Sequence, residues 1–463
     1  LPALLMIAAL VVGSAACEKH RDTAALPHPL VVVGVDGVEW RLVLDMMKTG
    51  GLPELRRLMN DGAFARLSTL EPALSPPIWT SIATGVVPER HGILGFVQPE
   101  LQGPGGAPLL FTNRDRRVKA IWNIAADAGL RSCVVGYWMT FPVEDISGVI
   151  VAQSGAPPGS EASRTRKGGL ERGRSGQVHP PELEQRIFAL AEDSAPLVAG
   201  REQELYGDWS AWPPAMKRVV EHSHWSLAAD TAYQRIALDL LRGGDRCDVV
   251  LVYLGLPDVL GHRFWRWTFP EDFEAPPSAD EVRLFGDVLR RAYAQVDRFV
   301  GQMRDAAGPA ATLIVASDHG MGPWRAKARV DLAEQSARPD AGLLRTGGHS
   351  AAREAFFAGA GPGIRRAGNA SPLPADVAAT PNAGSILDMA PTLLALLGIA
   401  RGADMDGAVA TSLLDSAFLA AHPLAEVATH TPAGWADTRH LAKAEDPQSG
   451  QRIEQLRGLG YLE

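Results

Sequence analysis

Three short apolar runs in this chain each lead into a carboxylate. Leu30-Val31-Val32-Val33-Gly34-Val35 ends at Asp36, Asp248-Val249-Val250-Leu251-Val252-Tyr253 runs through Leu254-Gly255-Leu256-Pro257 into Asp258, and Leu313-Ile314-Val315-Ala316-Ser317 ends at Asp318. His319 adjoins Asp318, and His262 follows Asp258 at a spacing that puts both side chains on one face of a helix. His349 stands in a glycine-flanked segment, Gly347-Gly348-His349-Ser350. Three Asp and three His are the ligand types that suit Zn²⁺ and similar divalent metals. Taken singly, each has an ordinary explanation. An Asp after a strand commonly forms a turn, Asp258 with His262 could be a solvated helix pair, and His349 could be a loop histidine. The recurrence at three strand ends carries the reading.

The elements around these residues decide whether they can meet. The three runs read as buried strands. Between them, helical patterns are expected over 39–59 (with a break at Gly50-Gly51-Leu52-Pro53), 120–128, 181–191, 228–241, a long 278–306 and 385–397. Further strands are expected at 132–137 and 355–357. Strands alternating with helices predict an α/β fold, a mainly parallel central sheet with helices on both faces. Such a sheet gathers the carboxyl ends of its strands along one edge, where open α/β proteins bind ligands. Residues 154–176 are rich in Gly, Ser, Arg and Pro without apolar periodicity, and read as a loop or disordered insertion.

One hydroxyl stands out. Ser75 precedes Pro76 and Pro77 at the start of an expected helix, which reads as an N-cap followed by Pro at N1. A hydroxyl there would lie beside free N–H groups and the positive end of the helix dipole, a site for phosphate, and beside a metal it could act as a nucleophile. Thr80, Ser81 and Thr84 compete, but they fall inside the helix, where hydroxyls bond back to the preceding turn.

The chain has 463 residues, 46% hydrophobic and 21% charged, with a formal net charge of −8. That suits a globular protein with a sizeable core and gives no basic surplus for a nucleic-acid duplex. The apolar run before Ser14-Ala15-Ala16-Cys17 resembles a bacterial lipoprotein signal, so residues 1–17 are expected to direct export with Cys17 lipidated, and only this anchor is expected to touch a membrane. An ordinary cleaved signal or a buried apolar segment are the other readings. In an oxidising compartment Cys133 and Cys247 could pair.

The ordered set Val33-Gly34-Val35-Asp36-Gly37, Ser75-Pro76-Pro77-Ile78-Trp79-Thr80-Ser81-Ile82-Ala83-Thr84-Gly85, Pro88, His91-Gly92-Ile93, Asp258 with Gly261-His262, Ser317-Asp318-His319-Gly320-Met321, Gly348-His349 and Gly359-Ala360-Gly361-Pro362-Gly363-Ile364 resembles the alkaline phosphatase superfamily, in its type I phosphodiesterase and nucleotide pyrophosphatase branch. Asp388-Met389-Ala390-Pro391-Thr392-Leu393-Leu394 is similar to that family's closing helix. The resemblance implies an alkaline phosphatase-like three-layer sandwich, a single domain over 18–463 with a variable insertion around 154–227, and two divalent metals, zinc first and manganese second. It implies that Asp36, Asp318, His319 and the Ser75 oxygen hold one metal and that Asp258, His262 and His349 hold the other. It implies hydrolysis of a small phosphoester, monoester or diester, through a phosphoserine at Ser75. One position departs from the branch: Phe96 stands where an Asn that hydrogen-bonds a phosphate oxygen is usual, so another donor must serve. Rival readings are a sulfatase of the same superfamily, disfavoured by Trp79 in place of the sulfatase Arg, a phospho-group transferase, and a non-catalytic surface lipoprotein.

Overall fold

The computed structural model describes residues 28–102, 108–153, 170–245, 247–338, 343–349, 354–366 and 373–443. The expected export signal and residues 154–169 of the expected loop lie outside the described residues. A nine-stranded sheet forms the centre: β1 (Leu30–Val35), β2 (Ala63–Ser68), β3 (Ser132–Val135), β4 (Gly148–Val151), β5 (Val178–His179), β6 (Val249–Leu254), β7 (Thr312–Ala316), β8 (Glu354–Ala360) and β9 (Asn382–Ser385). Their spatial order is β9-β2-β8-β7-β1-β6-β3-β4-β5. The run β4-β3-β6-β1-β7 is parallel throughout, and β8 and β5 run against it.

β1, β6 and β7 are apolar on both sides because both faces of the sheet are covered. Val31, Val33, Val35, Val250, Val252, Leu254, Leu313 and Val315 face one core. Leu30, Val32, Val249, Leu251, Tyr253, Ile314 and Ala316 face the other. This is the period-two alternation of a pleated strand, and it makes three layers. The first core is closed by helices α1 (Trp40–Lys48), α2 (Pro53–Asp61), α5 (Pro214–Arg242), α6 (Leu256–Thr268) and α7 (Val288–Ala307). The second is closed by α3 (Ser75–Thr84), α4 (Ile121–Asp127) and α8 (Met389–Leu396). The three-layer α/β architecture expected from the sequence, a mainly parallel sheet with helices on both faces, is present.

Several boundaries differ. The helix expected over 278–306 is two helices, Ala279–Phe285 and α7, which part at Gly286-Asp287 where the Gly286 N–H closes on the Val282 carbonyl. The helix expected over 228–241 is the far end of α5, whose earlier turns carry Glu221, His222 and His224 and so lack a clean apolar stripe. The strand expected at 355–357 runs over seven residues and is inserted antiparallel between β7 and β2. Cys133 and Cys247 are joined in a disulfide that ties β3 to the segment entering β6. Among the described residues no helix is long and apolar enough to cross a membrane.

Candidate metal centre

The register of the parallel strands brings the acids together. Val35 pairs with Leu254 and Gly34 with Ala316, so Asp36 leaves β1 level with the residues that follow β6 and β7. Asp36, Asp258, His262, Asp318 and His319 are each no more than 1% exposed, far below what unpaired charged groups tolerate. Asp36, Asp318 and His319 form one group whose ligand atoms lie within 4.8 Å of one another, and Asp258, His319 and His349 form a second. His319 Nε2 is 3.5 Å from Asp36 Oδ1 and 3.2 Å from Asp318 Oδ2. His262 stands one helical turn after Asp258 on α6, with Nε2 3.5 Å from Asp258 Oδ2. His349 Nε2 lies 2.9 Å from Asp258 Oδ1. All six ligand positions read from the sequence therefore share one place, and His319 stands between the two groups.

Hydrogen bonds aim the ligands. His262 donates from Nδ1 to the Gly347 carbonyl (2.9 Å), His319 to the Gly320 carbonyl (2.9 Å), and His349 to the Ala73 carbonyl (2.9 Å). With Nδ1 occupied as a donor, the Nε2 lone pair of a neutral His262 or His319 ring faces the site, whereas His349 Nε2 donates to Asp258 Oδ1 and would give up that proton to a metal. Asp36 Oδ2 accepts from Tyr253 Oη (2.6 Å) and Trp79 Nε1 (3.2 Å). Its other oxygen, Asp318 Oδ2 and His319 Nε2 are buried without a hydrogen-bond partner among the described residues. The loops after β1 and β7 are cross-tied. Val38 N–H donates to Ser317 Oγ (3.2 Å), Ser317 Oγ donates to the His319 carbonyl (2.5 Å), and Met321 N–H donates to Glu39 Oε2 (3.0 Å). Gly37 has φ 68°, and a Cβ there would stand 3.0 Å from Asp258, so this turn admits only glycine.

The electrostatics describe a site short of positive charge. Burial, then the neighbouring Asp258, raises Asp36 to about 7. Burial and the charges of Asp36 and Asp258 push Asp318 well above the usual carboxylate range. Burial lowers His262 and His319 to about 3, so both rings are neutral. For Asp258 burial is outweighed by His262 and His349, and its carboxyl is held below the usual range. For His349 burial is outweighed by Asp258, which raises it. Clustered carboxylates with neutral imidazoles and partnerless oxygens fit divalent cations, which would supply the missing charge.

Ser75 differs from expectation in a useful way. It is the first residue of α3, not its cap; Leu74 holds the cap position, and no side chain caps the helix. The reason is that Pro76 and Pro77 carry no N–H, and the first one beyond them, on Ile78, is taken by the Leu74 carbonyl (3.2 Å). The same prolines remove two of the N–H groups expected to greet a phosphate at the helix terminus. Ser75 Oγ is thus buried with no hydrogen-bond partner among the described residues. On one side the Ala73 carbonyl accepts from His349; on the other, Trp79, one turn along the same helix face, reaches Asp36. Thr80 and Thr84 bond back to the carbonyls of Pro76 (2.7 Å) and Thr80 (2.8 Å). Ser81 instead meets His91 Nε2 (3.0 Å), a ring that burial lowers to about 3 and that also touches the Pro77 carbonyl (3.2 Å), bracing the first turn of α3.

The family model for type I phosphodiesterase/nucleotide pyrophosphatase matches residues 30–380. The chain belongs to the type I phosphodiesterase/nucleotide pyrophosphatase family. Its matched span holds all six candidate ligand positions and Ser75. No curated protein matches the chain. Among solved structures, phosphonoacetate hydrolase from Sinorhizobium meliloti 1021, determined with phosphonoacetate, is 19% identical, with 64% of this chain and 57% of that one covered and a TM-score of 0.37. A candidate sulfatase from Bacteroides thetaiotaomicron VPI-5482 is 12% identical over 83% of this chain and 74% of that one (TM-score 0.47). Human ectonucleotide pyrophosphatase/phosphodiesterase 5 is 13% identical over 84% of this chain and all 100% of that one (TM-score 0.46).

Sequence reading missed the residues that orient this family member's ligands. Tyr253 ends an otherwise aliphatic strand and Trp79 lies at i+4 from Ser75; both spacings are visible, but large aromatics at such positions ordinarily read as core. Glu39 and Ser317 had no signal beyond adjacency to the ligand loops.

Proposed function

We propose that this chain is a metal-dependent hydrolase of small phosphoric esters that works through a phosphoserine at Ser75. The observation that carries the proposal is the buried Ser75 hydroxyl, without a hydrogen-bond partner among the described residues and set between Ala73, which accepts from His349, and Trp79, which donates to Asp36. Asp36, Asp318 and His319 would hold one divalent ion and Asp258, His262 and His349 the other, with zinc expected first and manganese second. When bound, such ions supply Lewis-acid charge that stabilises the phosphoryl oxygens in the transition state.

Ser75 Oγ attacks phosphorus in line and gives up its proton to solvent. The bond from phosphorus to the ester oxygen breaks, and the leaving alcohol takes a proton from solvent. Water then attacks phosphorus, the Oγ–P bond breaks, and the Ser75 hydroxyl is restored. Tyr253 and Trp79 keep Asp36 from turning during this sequence. Phe96 is buried and offers no donor, but its ring meets the edge of Trp138 (centroids 5.8 Å apart), and Trp138 in turn meets Tyr253 (6.0 Å). The Trp138 indole N–H is buried without a partner among the described residues, and we assign it as the donor to a phosphoryl oxygen, the hydrogen bond that Phe96 cannot supply. Export, with a lipid anchor at Cys17, fits the Cys133–Cys247 disulfide, since such bonds persist in oxidising compartments.

The test is a panel of aryl phosphate monoester, diester, phosphonate and sulfate substrates with added zinc or manganese, run on the wild type and on Ser75→Ala. Wild-type turnover of one phosphorus ester, lost in Ser75→Ala with metal content kept, is expected. Sulfate ester turnover above phosphate turnover, or an active Ser75→Ala variant, contradicts the proposal.

A further inference from the structure

Helix α6 carries both Asp258 and His262, so its rotation and depth decide where two of the ligands stand. Its N-terminus has no side-chain cap of its own. The cap position is Gly255, which has no side chain to offer, and a Cβ there would crowd Tyr253 Oη, the hydroxyl that holds Asp36, at 3.0 Å. Pro257 in the first turn has no N–H. The cap comes instead from another helix. Asp230, in the middle of α5 and 4% exposed, accepts from Gly255 N–H through Oδ1 (2.9 Å) and from Leu256 N–H through Oδ2 (2.9 Å).

A carboxylate that uses both oxygens on consecutive amides fixes a helix end in direction as well as position. Leu256 lies two residues before Asp258, and His262 follows one turn later, so nothing flexible separates the clamp from the ligands. Within α5 the group beside Asp230 is held too, with Arg201 donating to Thr231 Oγ1 (3.1 Å). An ordinary core position would not carry an acid here, since a buried carboxylate is costly unless it is put to use.

We propose that Asp230 is a positioning residue: it sets the register of α6 and thereby the affinity of the Asp258–His262–His349 ion site. The inference rests on the two-metal reading above. The test is cobalt titration of the metal-free chain followed by absorption, with circular dichroism as the check on folding. The wild type is expected to take up two equivalents. Asp230→Asn, which keeps the shape but sets an amide donor against one of the two N–H groups, is expected to bind one equivalent as the wild type does. Its other equivalent should bind about 10- to 100-fold more weakly, as when other outer partners of metal ligands are removed. A second readout uses the wild type alone. By linkage, metal loading should slow hydrogen exchange at Gly255 and Leu256, and this holds even if Asp230→Asn does not fold. Two wild-type-like binding steps in a folded Asp230→Asn, equal weakening of both steps, or unchanged exchange at Gly255 and Leu256 on metal loading overturns the role of Asp230 while leaving the two-metal reading intact. A wild type that takes up no cobalt overturns both.

Discussion

Replacing Tyr253 by Phe removes one oxygen atom and little else. The ring is 6% exposed and packs edge-on against Trp79 (centroids 5.3 Å apart) and Trp138 (6.0 Å), contacts a phenyl ring retains. What is lost is the 2.6 Å hydrogen bond to Asp36 Oδ2. Asp36 would then keep only the longer bond from Trp79 (3.2 Å) and could rotate its free Oδ1 away from His319. A hydrogen bond to a charged group contributes about 1.5–3 kcal/mol, and each 1.4 kcal/mol is tenfold, so Tyr253→Phe should weaken binding at the Asp36–Asp318–His319 site by roughly 10- to 100-fold. Zinc affinity measured by chelator competition tests this, with a urea melt of the metal-free protein as control. The Asp258-side ion should be retained within about threefold, an estimate from the independence of sites without shared partners. Zinc affinity within about twofold of wild type at both sites, on the same additivity argument, would refute the view that Tyr253 holds a metal ligand.

Other substitutions separate substrate binding and stability from metal binding. Trp138→Phe keeps the aromatic contact with Phe96 but deletes the indole N–H; kcat/KM should fall about tenfold, the value of one hydrogen bond to a charged oxygen, with metal content unchanged. An unchanged kcat/KM would return the donor role to another group. Glu144 is buried between Arg116 (2.5 Å) and Arg439 (3.0 Å), so Glu144→Gln strands two guanidinium groups and should cost about 3–5 kcal/mol in urea unfolding. Burial opposes the Glu144 charge, but the two arginines outweigh it and hold the carboxyl at about 2, below its usual 4.5. Its stabilisation is therefore complete above pH 4.5 and is lost as pH falls through 2, so the gap between wild type and Glu144→Gln should narrow on acidification across that window. A constant gap from pH 6 to 3 would contradict the assignment. Burial also pulls Arg116 down to about 9, so the pair is costly to bury and its value lies in anchoring the C-terminal segment that carries Arg439.

The sheet and the cluster of candidate metal ligands were legible because their signals are local. β1, β6 and β7 are continuous apolar runs, which a strand buried on both faces requires, and each leads into its Asp within a few residues. Asp258 and His262 sit at helical spacing, and the structure places them on one face of α6. What the sequence hid depends on contacts between distant segments. Nothing near Asp230 indicates that it caps a helix starting at Leu256, because the requirement arises from Tyr253 crowding Gly255 in three dimensions. Arg116, Glu144 and Arg439 come from three separate stretches, and each alone reads as a surface charge. At Ser75 the local rule misled by one residue. Ser-Pro suggested a cap, yet the second proline removes the N–H that a cap would need, and the hydroxyl is left without a hydrogen-bond partner among the described residues.

The central claim is that Ser75 carries the phosphoryl group. The most direct measurement is acid quenching of the zinc-loaded protein during turnover of an aryl phosphate ester, followed by mass spectrometry of the peptide containing Ser75. The account predicts a phosphoryl group on Ser75 that appears with substrate, decays when substrate is exhausted and is absent from Ser75→Ala. Steady turnover with Ser75 unmodified at every quench time, or a phosphoryl group on another residue, would contradict it.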